Sequence, residues 1–232
     1  MPDSTPYQTK TETHCIGGKD YHIQSLKDRQ QYHDPDNVAS NAGISSSNWP
    51  IFGQVWPAGL VLAEIMSRHD VDGLRILELG CGLGIAAMIL TERNASVIAT
   101  DQHHMSQIFM AHNSRVNDVA ATTFALCDWT QLETEFGEFD LIIGSDLLYE
   151  TIHPKLLAEF IAAHCKPTAE VIMVDGGRKL SGRFDRLMLE NGFNNNSPLP
   201  SDEFDHVEKF KGKVLHYRCS PNSVGDVMGA SA

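Results

Sequence analysis

From residue 74 onward, short apolar runs alternate with longer segments of mixed polarity. The apolar runs predict five strands, at residues 74–79, 96–101, 122–127, 139–145 and 170–175. The segments that follow four of these strands predict helices at residues 84–92, 104–116, 153–164 and 180–191. This strand–helix alternation is typical of a mostly parallel sheet with helices on both of its faces.

Further elements are predicted on either side of this repeat. Weak alternation over 21–26 indicates a strand, residues 34–48 read as a loop, and Pro57 fits the first turn of a helix that runs to about Arg68. Near the C-terminus, 203–210 and 213–219 predict two strands joined by a short turn. We therefore expect an α/β fold, a doubly wound, mostly parallel seven-stranded sheet with an antiparallel C-terminal hairpin strand.

The chain length fits one domain with short appendages. Its 232 residues predict a flexible N-terminus over 1–20, a folded domain over 21–219 and a flexible tail over 220–232. The chain has no run of about 18 apolar residues, so no membrane span is expected. The polar start, residues 1–10, does not resemble a signal peptide.

Cysteine and histidine usage points to a cytoplasmic protein without a bound metal. Five cysteines are dispersed along the chain and none forms a C-x-x-C pair, which favours reduced thiols over a disulfide framework or a zinc site. None of the 11 histidines lies in an H-E-x-x-H motif, and the pair at 103–104 fits a helix start better than a metal site.

The charge balance bears on possible partners. The net charge is −12 with neutral histidines, so a broad nucleic-acid interface is disfavoured by repulsion from the phosphate backbone. A cationic target, such as a lysine on another protein, would be attracted.

A glycine turn follows the first of the five strands. Gly80, Gly82 and Gly84 come between that strand and the next helix, so a ligand can approach the backbone closely. Dinucleotide folds use G-x-G-x-x-G, but Ile85 stands where its third glycine is required. The simpler interpretation is an ordinary strand-to-helix turn with helper glycines.

The acid before this turn helps to choose the ligand. Glu78 is two residues before Gly80, where a carboxylate suits a cationic group and repels a pyrophosphate. S-adenosylmethionine carries an ammonium and a sulfonium and has no phosphate, so the pattern favours it. NAD remains the alternative.

Two later strands end in residues suited to an adenosine. Asp101 can accept hydrogen bonds from both ribose hydroxyls, which both cofactors have, although it could instead be a helix N-cap. Asp128 and Trp129 suit an adenine, with the acid accepting from the exocyclic amine and the ring stacking. The alternative is a cap beside a core tryptophan.

Candidate residues for the acceptor end the fourth strand. Ligands of open α/β sheets bind beyond the carboxyl ends of strands, which is where Asp146 and Tyr149 are expected. Asp146 could also be a buried cap. Trp56 could roof the pocket, as could Trp49 or Phe52, with core packing as the alternative for each.

These motifs resemble one known family. Val55–Ala58 resembles its tryptophan segment, Leu77–Gly84 its cofactor loop, and Asp146–Tyr149 its D-x-x-Y signature. The chain thus resembles the seven-strand, S-adenosylmethionine-dependent methyltransferases, and among them the methyltransferase-like 21 family of protein lysine methyltransferases. Within the loop, Cys81-Gly-Leu replaces the commoner Ala-Gly-Thr.

The resemblance implies a role for each candidate residue. Asp146 and Tyr149 would line the acceptor channel, and the acceptor would be a lysine of a protein. Separately from the resemblance, we expect a monomer. Rival interpretations are a methyltransferase for a small molecule or a nucleic-acid base, an NAD-dependent oxidoreductase, and a silent binding module. The implied contacts to S-adenosylmethionine are Trp56, Glu78, Gly80, Gly82, Asp101, Asp128, Trp129 and Ser145.

Overall fold

The fold is taken from a computed structural model of the chain, which describes residues 7–196, 204 and 206–219. The strands are β1 (Thr9–Ile16), β2 (Lys19–Leu26), β3 (Arg75–Leu79), β4 (Ser96–Asp101), β5 (Thr123–Leu126), β6 (Phe139–Ser145), β7 (Cys165–Asp175), β8 (Phe193–Asn195) and β9 (Lys213–Cys219). The helices are α1 (Val38–Asn41), α2 (Pro57–Arg68), α3 (Ile85–Glu92), α4 (Met105–Val116), α5 (His153–His164) and α6 (Ser181–Glu190). A single 3-10 turn, Ile51–Gly53, precedes α2.

The main sheet has seven strands in the order β5-β4-β3-β6-β7-β9-β8. Strands β5, β4, β3, β6 and β7 run parallel, and β9 pairs antiparallel with both β7 and β8. The chain goes from β3 to β4 on one side and later returns to β6 on the other. This reversal opens a crevice at the carboxyl ends of β3 and β6, where ligands of such sheets bind.

The sheet is buried on both faces because its central strands carry apolar residues at successive positions. On β3, Ile76 packs into the core cluster formed with α2, α3 and α4, whereas Leu77 packs into the cluster formed with α5 and α6. On β6, Leu141 and Ile142 divide in the same way. This alternation follows from the two-residue period of a strand.

The predicted core of the fold is confirmed. Each of the five predicted strands and four predicted helices is present, with ends shifted by a residue or two apart from β7, which begins at Cys165. The helix predicted to start at Pro57 occupies Pro57–Arg68, and the weak strand over 21–26 lies within β2. The loop over 34–48 contains only the one-turn helix α1.

The expectation of a loose segment over 1–20 is wrong for residues 9–20. Thr9–Ile16 forms β1, which pairs antiparallel with β2 along its whole length. The pattern gave no sign of it because β1 is exposed apart from the half-buried His14 and the buried Ile16, so backbone pairing rather than burial holds it. The hairpin is also anchored to the domain, since Gly17 N donates to Glu64 Oε2 at 2.7 Å and Gln24 N to Asn113 Oδ1 at 2.8 Å.

The predicted strand at 203–210 is also wrong for its described residues, 204 and 206–210. Val207 N donates to Phe204 O at 2.9 Å and Phe210 N to Val207 O at 3.2 Å, which are turn hydrogen bonds. The apolar residues recur every third position, a spacing that suits consecutive turns better than a strand. The strand on the outer side of β9 is instead β8, whose Phe193 is buried among the α5 and α6 side chains. The predicted tail, 220–232, lies outside the described residues.

The described residues contain neither a membrane-spanning helix nor a metal-binding cluster. None of their helices has the length and apolar character needed to cross a membrane. No group of three or more histidine, cysteine or carboxylate side chains in this part of the chain is arranged to hold a metal ion.

Candidate active site

A cavity of about 430 Å³ lies at the carboxyl ends of β3, β4 and β6. It is the crevice that the strand order creates, and the residues predicted for cofactor and acceptor come together there from five separate segments. The ten predicted residues that line it are Trp56, Glu78, Gly80, Gly82, Asp101, Asp128, Trp129, Ser145, Asp146 and Tyr149.

The floor of this cavity is the glycine turn between β3 and α3. Gly80, Gly82 and Gly84 have φ angles of 56°, 54° and 69°, in the left-handed region that favours glycine. A Cβ at Gly82 would lie 3.0 Å from the carbonyl oxygen of Phe52. The turn therefore exposes backbone to the cavity, and side chains at these positions would be strained or crowded.

Asp101 supports the turn as well as facing the cavity. Its Oδ2 accepts the N–H of Gly82 and its Oδ1 accepts the N–H of His103, both at 2.8 Å. Asp101 therefore has a structural role at the turn and at the start of the next helix, as the alternative interpretation predicted. Each of its oxygens still keeps a lone pair for a ligand hydroxyl. Burial raises the pKa of this carboxyl.

Glu78 is buried at the end of β3, with 3% of its surface exposed. Its Oε2 accepts the N–H of Ala87 at 2.9 Å, which joins β3 to the first turns of α3. Burial, reinforced by the charge of Asp101, raises the pKa of Glu78 to about 8. A cation in the cavity would favour the ionised form and bring this pKa down.

The far end of the cavity is formed by Asp128 and Trp129. Asp128 Oδ1 accepts the N–H of Thr130 at 2.9 Å, so this acid both shapes its loop and faces the cavity. The Trp129 ring meets the His153 ring edge-on, with centroids 5.4 Å apart. Its Nε1 is buried without a hydrogen-bond partner in the described chain. Such a donor in a cavity wall is suited to a ligand acceptor.

Asp146 lies at the opposite end, in a left-handed backbone conformation with φ of 55°. Its two carboxylate oxygens accept hydrogen bonds from Nε and Nη2 of Arg178, at 2.9 Å and 3.0 Å. A strained residue whose side chain is held by such a fork is typical of a functional site. Sequence reasoning assigned no role to Arg178, although it directly follows two glycines at the carboxyl end of β7.

Aromatic rings line the passage beside Asp146. The Trp56 indole donates from Nε1 to the carbonyl oxygen of Ile51 at 3.1 Å. Its ring has the guanidinium of Arg29 at 4.4 Å and that of Arg178 at 5.4 Å. Tyr149 packs edge-on against His153 with centroids 4.5 Å apart, and burial raises the pKa of Tyr149 to about 12.

A second cavity, of about 440 Å³, adjoins the first. Ile51, Trp56, Asp146 and Tyr149 line both cavities and form their common wall. The rest of the second cavity comes from segments near 29–33, 46–50 and Arg178. We call the first the cofactor cavity and the second the outer cavity.

The residues present fit S-adenosylmethionine. The glycine turn leaves room against the backbone, Glu78 supplies an acid near it, and Asp101 keeps free lone pairs for hydroxyls. The unpartnered Nε1 of Trp129 marks a place for an acceptor atom.

Comparison with solved structures identifies the class of the fold. The chain superposes on the 16S rRNA N2 G1207 methyltransferase of T. Thermophilus, determined with AdoMet and guanosine, with a TM-score of 0.62 and 18% identity. The match covers 92% of this chain and 51% of that one. Fold and cavity, together with the family match that follows, define a class I methyltransferase that uses S-adenosylmethionine.

Sequence comparison then gives the family. The profile of the family described as lysine methyltransferase matches residues 45–184, and the chain belongs to that family. It is 28% identical to protein N-lysine methyltransferase METTL21A of Xenopus tropicalis, over 72% of this chain and 81% of that protein. It is 24% identical to EEF1A lysine methyltransferase 3 of the same species, over 59% of this chain and 62% of that protein. The choice between S-adenosylmethionine and NAD is thereby decided for the former.

Proposed function

We propose that the chain transfers the methyl group of S-adenosylmethionine to the side-chain amine of a lysine on another protein. The observation that carries the proposal is the common wall of the two cavities, which includes Trp56, Asp146 and Tyr149. A methyl donor and its acceptor must meet at one point, and two adjoining chambers provide such a point.

In this proposal, different residues of the cofactor cavity bind different parts of S-adenosylmethionine. Glu78 faces the cationic part of the cofactor, Asp101 accepts from the ribose, and Asp128 with Trp129 holds the adenine. When bound, the cofactor supplies a methyl group that its sulfonium already activates. The remaining residues assigned to shaping the cavity around it are Trp56, Gly80, Gly82 and Ser145.

The acceptor amine reaches the junction from the outer cavity. It must be neutral to attack, which costs about 4–5 kcal/mol at pH 7 from the ordinary lysine pKa. We assign Asp146 to aligning the amine, because a lone carboxylate would favour its charged form. Tyr149 keeps its hydroxyl proton at neutral pH, since its pKa is about 12, and can donate or accept one hydrogen bond.

Two further observations support a protein acceptor. Both relatives described above carry names that specify lysine methylation, one of them on EEF1A. The net charge of −12 favours a cationic partner. The five cysteines, all free, are consistent with action in the cytoplasm, and we propose that the enzyme acts there as a monomer.

Transfer of labelled methyl groups from S-adenosylmethionine tests the proposal. The purified protein is incubated separately with protein, nucleic-acid and small-metabolite fractions of a cell lysate, and labelled protein is hydrolysed to amino acids. We expect the label in the protein fraction, as methylated lysine. Label in either of the other fractions would identify a rival methyltransferase function.

A matched variant makes the result specific. Asp146→Asn keeps the size of the side chain but removes its charge, and should lose transfer while still binding S-adenosylhomocysteine. If wild-type protein binds S-adenosylhomocysteine but labels none of the three fractions, the silent binding module is the better interpretation.

A further inference from the structure

The carboxylate of Asp146 is already paired. Arg178 contacts one oxygen through Nε and the other through Nη2, and only 9% of the Asp146 side chain is exposed. A Cβ at Gly176 would lie 2.5 Å from Asp146 Oδ1, so the carboxylate rests against the bare backbone of that glycine. The orientation of Asp146 is thus fixed from two sides, and each oxygen keeps a further lone pair.

The guanidinium of Arg178 lies in the wall of the outer cavity. It is 5.4 Å from the centre of the Trp56 ring and 5.9 Å from that of Tyr149. The flanking residues Gly177 and Lys179 have φ angles of 90° and 66°. The loop after β7 therefore adopts an unusual backbone that holds this side chain beside the acceptor residues.

The pair changes the electrostatics of the acceptor site. An isolated carboxylate attracts an ammonium and keeps it charged, whereas a carboxylate neutralised by a guanidinium does so far less. Arg29 and His33 line the same cavity and add no negative charge. Other ionisable groups interact electrostatically with the pair or with its neighbours: Asp101, Tyr149, Glu150, Asp175 and Lys213.

We propose that Arg178 is a positioning residue that orients and neutralises Asp146, so that the acceptor site receives a lysine amine in its neutral form. A neutral amine can donate one N–H to a remaining lone pair of Asp146 while the ion pair stays intact. The proposal rests on the proposed function. The alternative is that Arg178 itself occupies the site of the substrate ammonium and must be displaced by the substrate. We call this alternative role a plug.

Binding of n-butylamine, a mimic of the lysine side chain, tests the electrostatic claim without any protein substrate. Affinity for the complex with S-adenosylhomocysteine is measured by NMR titration at about pH 7 and about pH 9. Wild-type affinity should rise about tenfold per pH unit as the neutral amine becomes more abundant. Arg178→Gln should bind the ammonium at least about tenfold more tightly than wild type at pH 7, with little pH dependence.

Three variants separate charge from structure. Arg178→Lys keeps the charge but loses the two-point contact, and should keep the wild-type amine affinity and its pH dependence. A role that depended only on the shape of the contact would not survive this change. Lys179→Gln removes the same charge one residue further along the exposed loop and should leave the amine affinity unchanged. The double variant Asp146→Asn with Arg178→Gln should lose the tight ammonium binding. Equal or weaker amine binding by Arg178→Gln, or no binding to that variant, would overturn the proposal.

Methyl transfer to a protein whose lysine is labelled in the lysate experiment provides a second readout. For Arg178→Gln the inflection of the pH–rate profile should move to higher pH by about one unit or more, with lower kcat at pH 7 and unchanged or lower KM. A plug would instead give higher kcat at pH 7. If no fraction accepts a methyl group the proposed function fails, yet the amine titrations still decide the role of Arg178.

Discussion

The two cavities that share Asp146 and Tyr149 are built in different ways. The cofactor cavity is formed at the carboxyl ends of adjacent strands, by exposed backbone and acids such as Glu78 and Asp101 that also bond to neighbouring backbone. The outer cavity is formed by loops and by two guanidiniums, those of Arg29 and Arg178. The residues of the cofactor cavity therefore also hold the sheet and the glycine turn together, whereas the residues of the outer cavity lie mainly in loops around them.

This difference has a consequence for function. Changes in the loops around the outer cavity leave the hydrogen bonds of the glycine turn intact, so acceptor choice can vary on a constant cofactor cavity. Changes in the turn should affect both folding and cofactor binding. Residues of the common wall face both cavities. Variants there should therefore separate cofactor binding from methyl transfer.

The largest effect is expected at that wall. Asp146→Asn should lower methyl transfer about 100-fold, because misalignment of the reacting amine by about 1 Å has an effect of that size. Affinity for S-adenosylhomocysteine, measured by calorimetry, should stay within about twofold, since Asp146 faces the outer cavity through its pair with Arg178. A matching loss of cofactor affinity would show that the two cavities do not function separately.

The next effect is expected in the glycine turn. Gly82→Ala should weaken S-adenosylhomocysteine binding about 30-fold, because the new Cβ lies 3.0 Å from the Phe52 carbonyl oxygen at a φ of 54°. Gly73→Ala is the matched control, with a φ of 70° and no atom within 4 Å of the added Cβ. Equal loss of affinity in both variants would attribute the effect to general destabilisation.

The same contrast explains what the sequence predicts. Gly80, Glu78 and the following apolar helix lie within one strand–turn–helix segment, so local pattern is sufficient to find the cofactor loop. Arg178 and Asp146 are 32 residues apart and meet only because β6 and β7 are neighbours. Their pairing depends on the sheet order, which no local pattern contains.

The edges of the fold teach a similar lesson. Strand β1 has hardly any buried side chains, so it leaves no hydrophobic period, yet its backbone pairs fully with β2. Phe204, Val207 and Phe210 resemble part of a strand by composition but recur at a turn spacing. Secondary structure stabilised by pairing rather than by burial is the part that pattern analysis misses.

A smaller effect concerns the protonation of Glu78. Its pKa of about 8 leaves it mostly protonated at pH 7 in the free protein, whereas a cationic ligand favours the carboxylate. Affinity for S-adenosylmethionine, taken relative to that of Glu78→Gln at the same pH, should rise about tenfold from pH 7 to pH 9. Calorimetry in buffers of different ionisation enthalpy should detect the released proton. Glu78→Gln should lose the part of both signals that Glu78 contributes, and the pH dependence that remains is that of the ligand's own ammonium.

The same raised pKa predicts how stability depends on pH. The folded protein holds this proton more tightly than the unfolded chain, so the contribution to the free energy of unfolding is largest below the ordinary glutamate pKa. It decreases as the pH rises towards about 8. Glu78→Gln should therefore melt at least about 2 °C higher than wild type at pH 9, without ligand. A lower melting temperature would show that the ionised form stabilises the framework.

The smallest effect is expected at the far end of the cofactor cavity. Trp129→Phe keeps an aromatic ring but removes the Nε1–H, which is buried without a partner in the described chain. If this group donates to the cofactor, S-adenosylhomocysteine affinity measured by calorimetry should fall about fivefold, the value of one neutral hydrogen bond. Trp129→Ala should lose more, because the stacking surface is also removed. Unchanged affinity in Trp129→Phe would show that Trp129 contributes only its ring, and would leave Asp128 as the hydrogen-bond partner of the adenine.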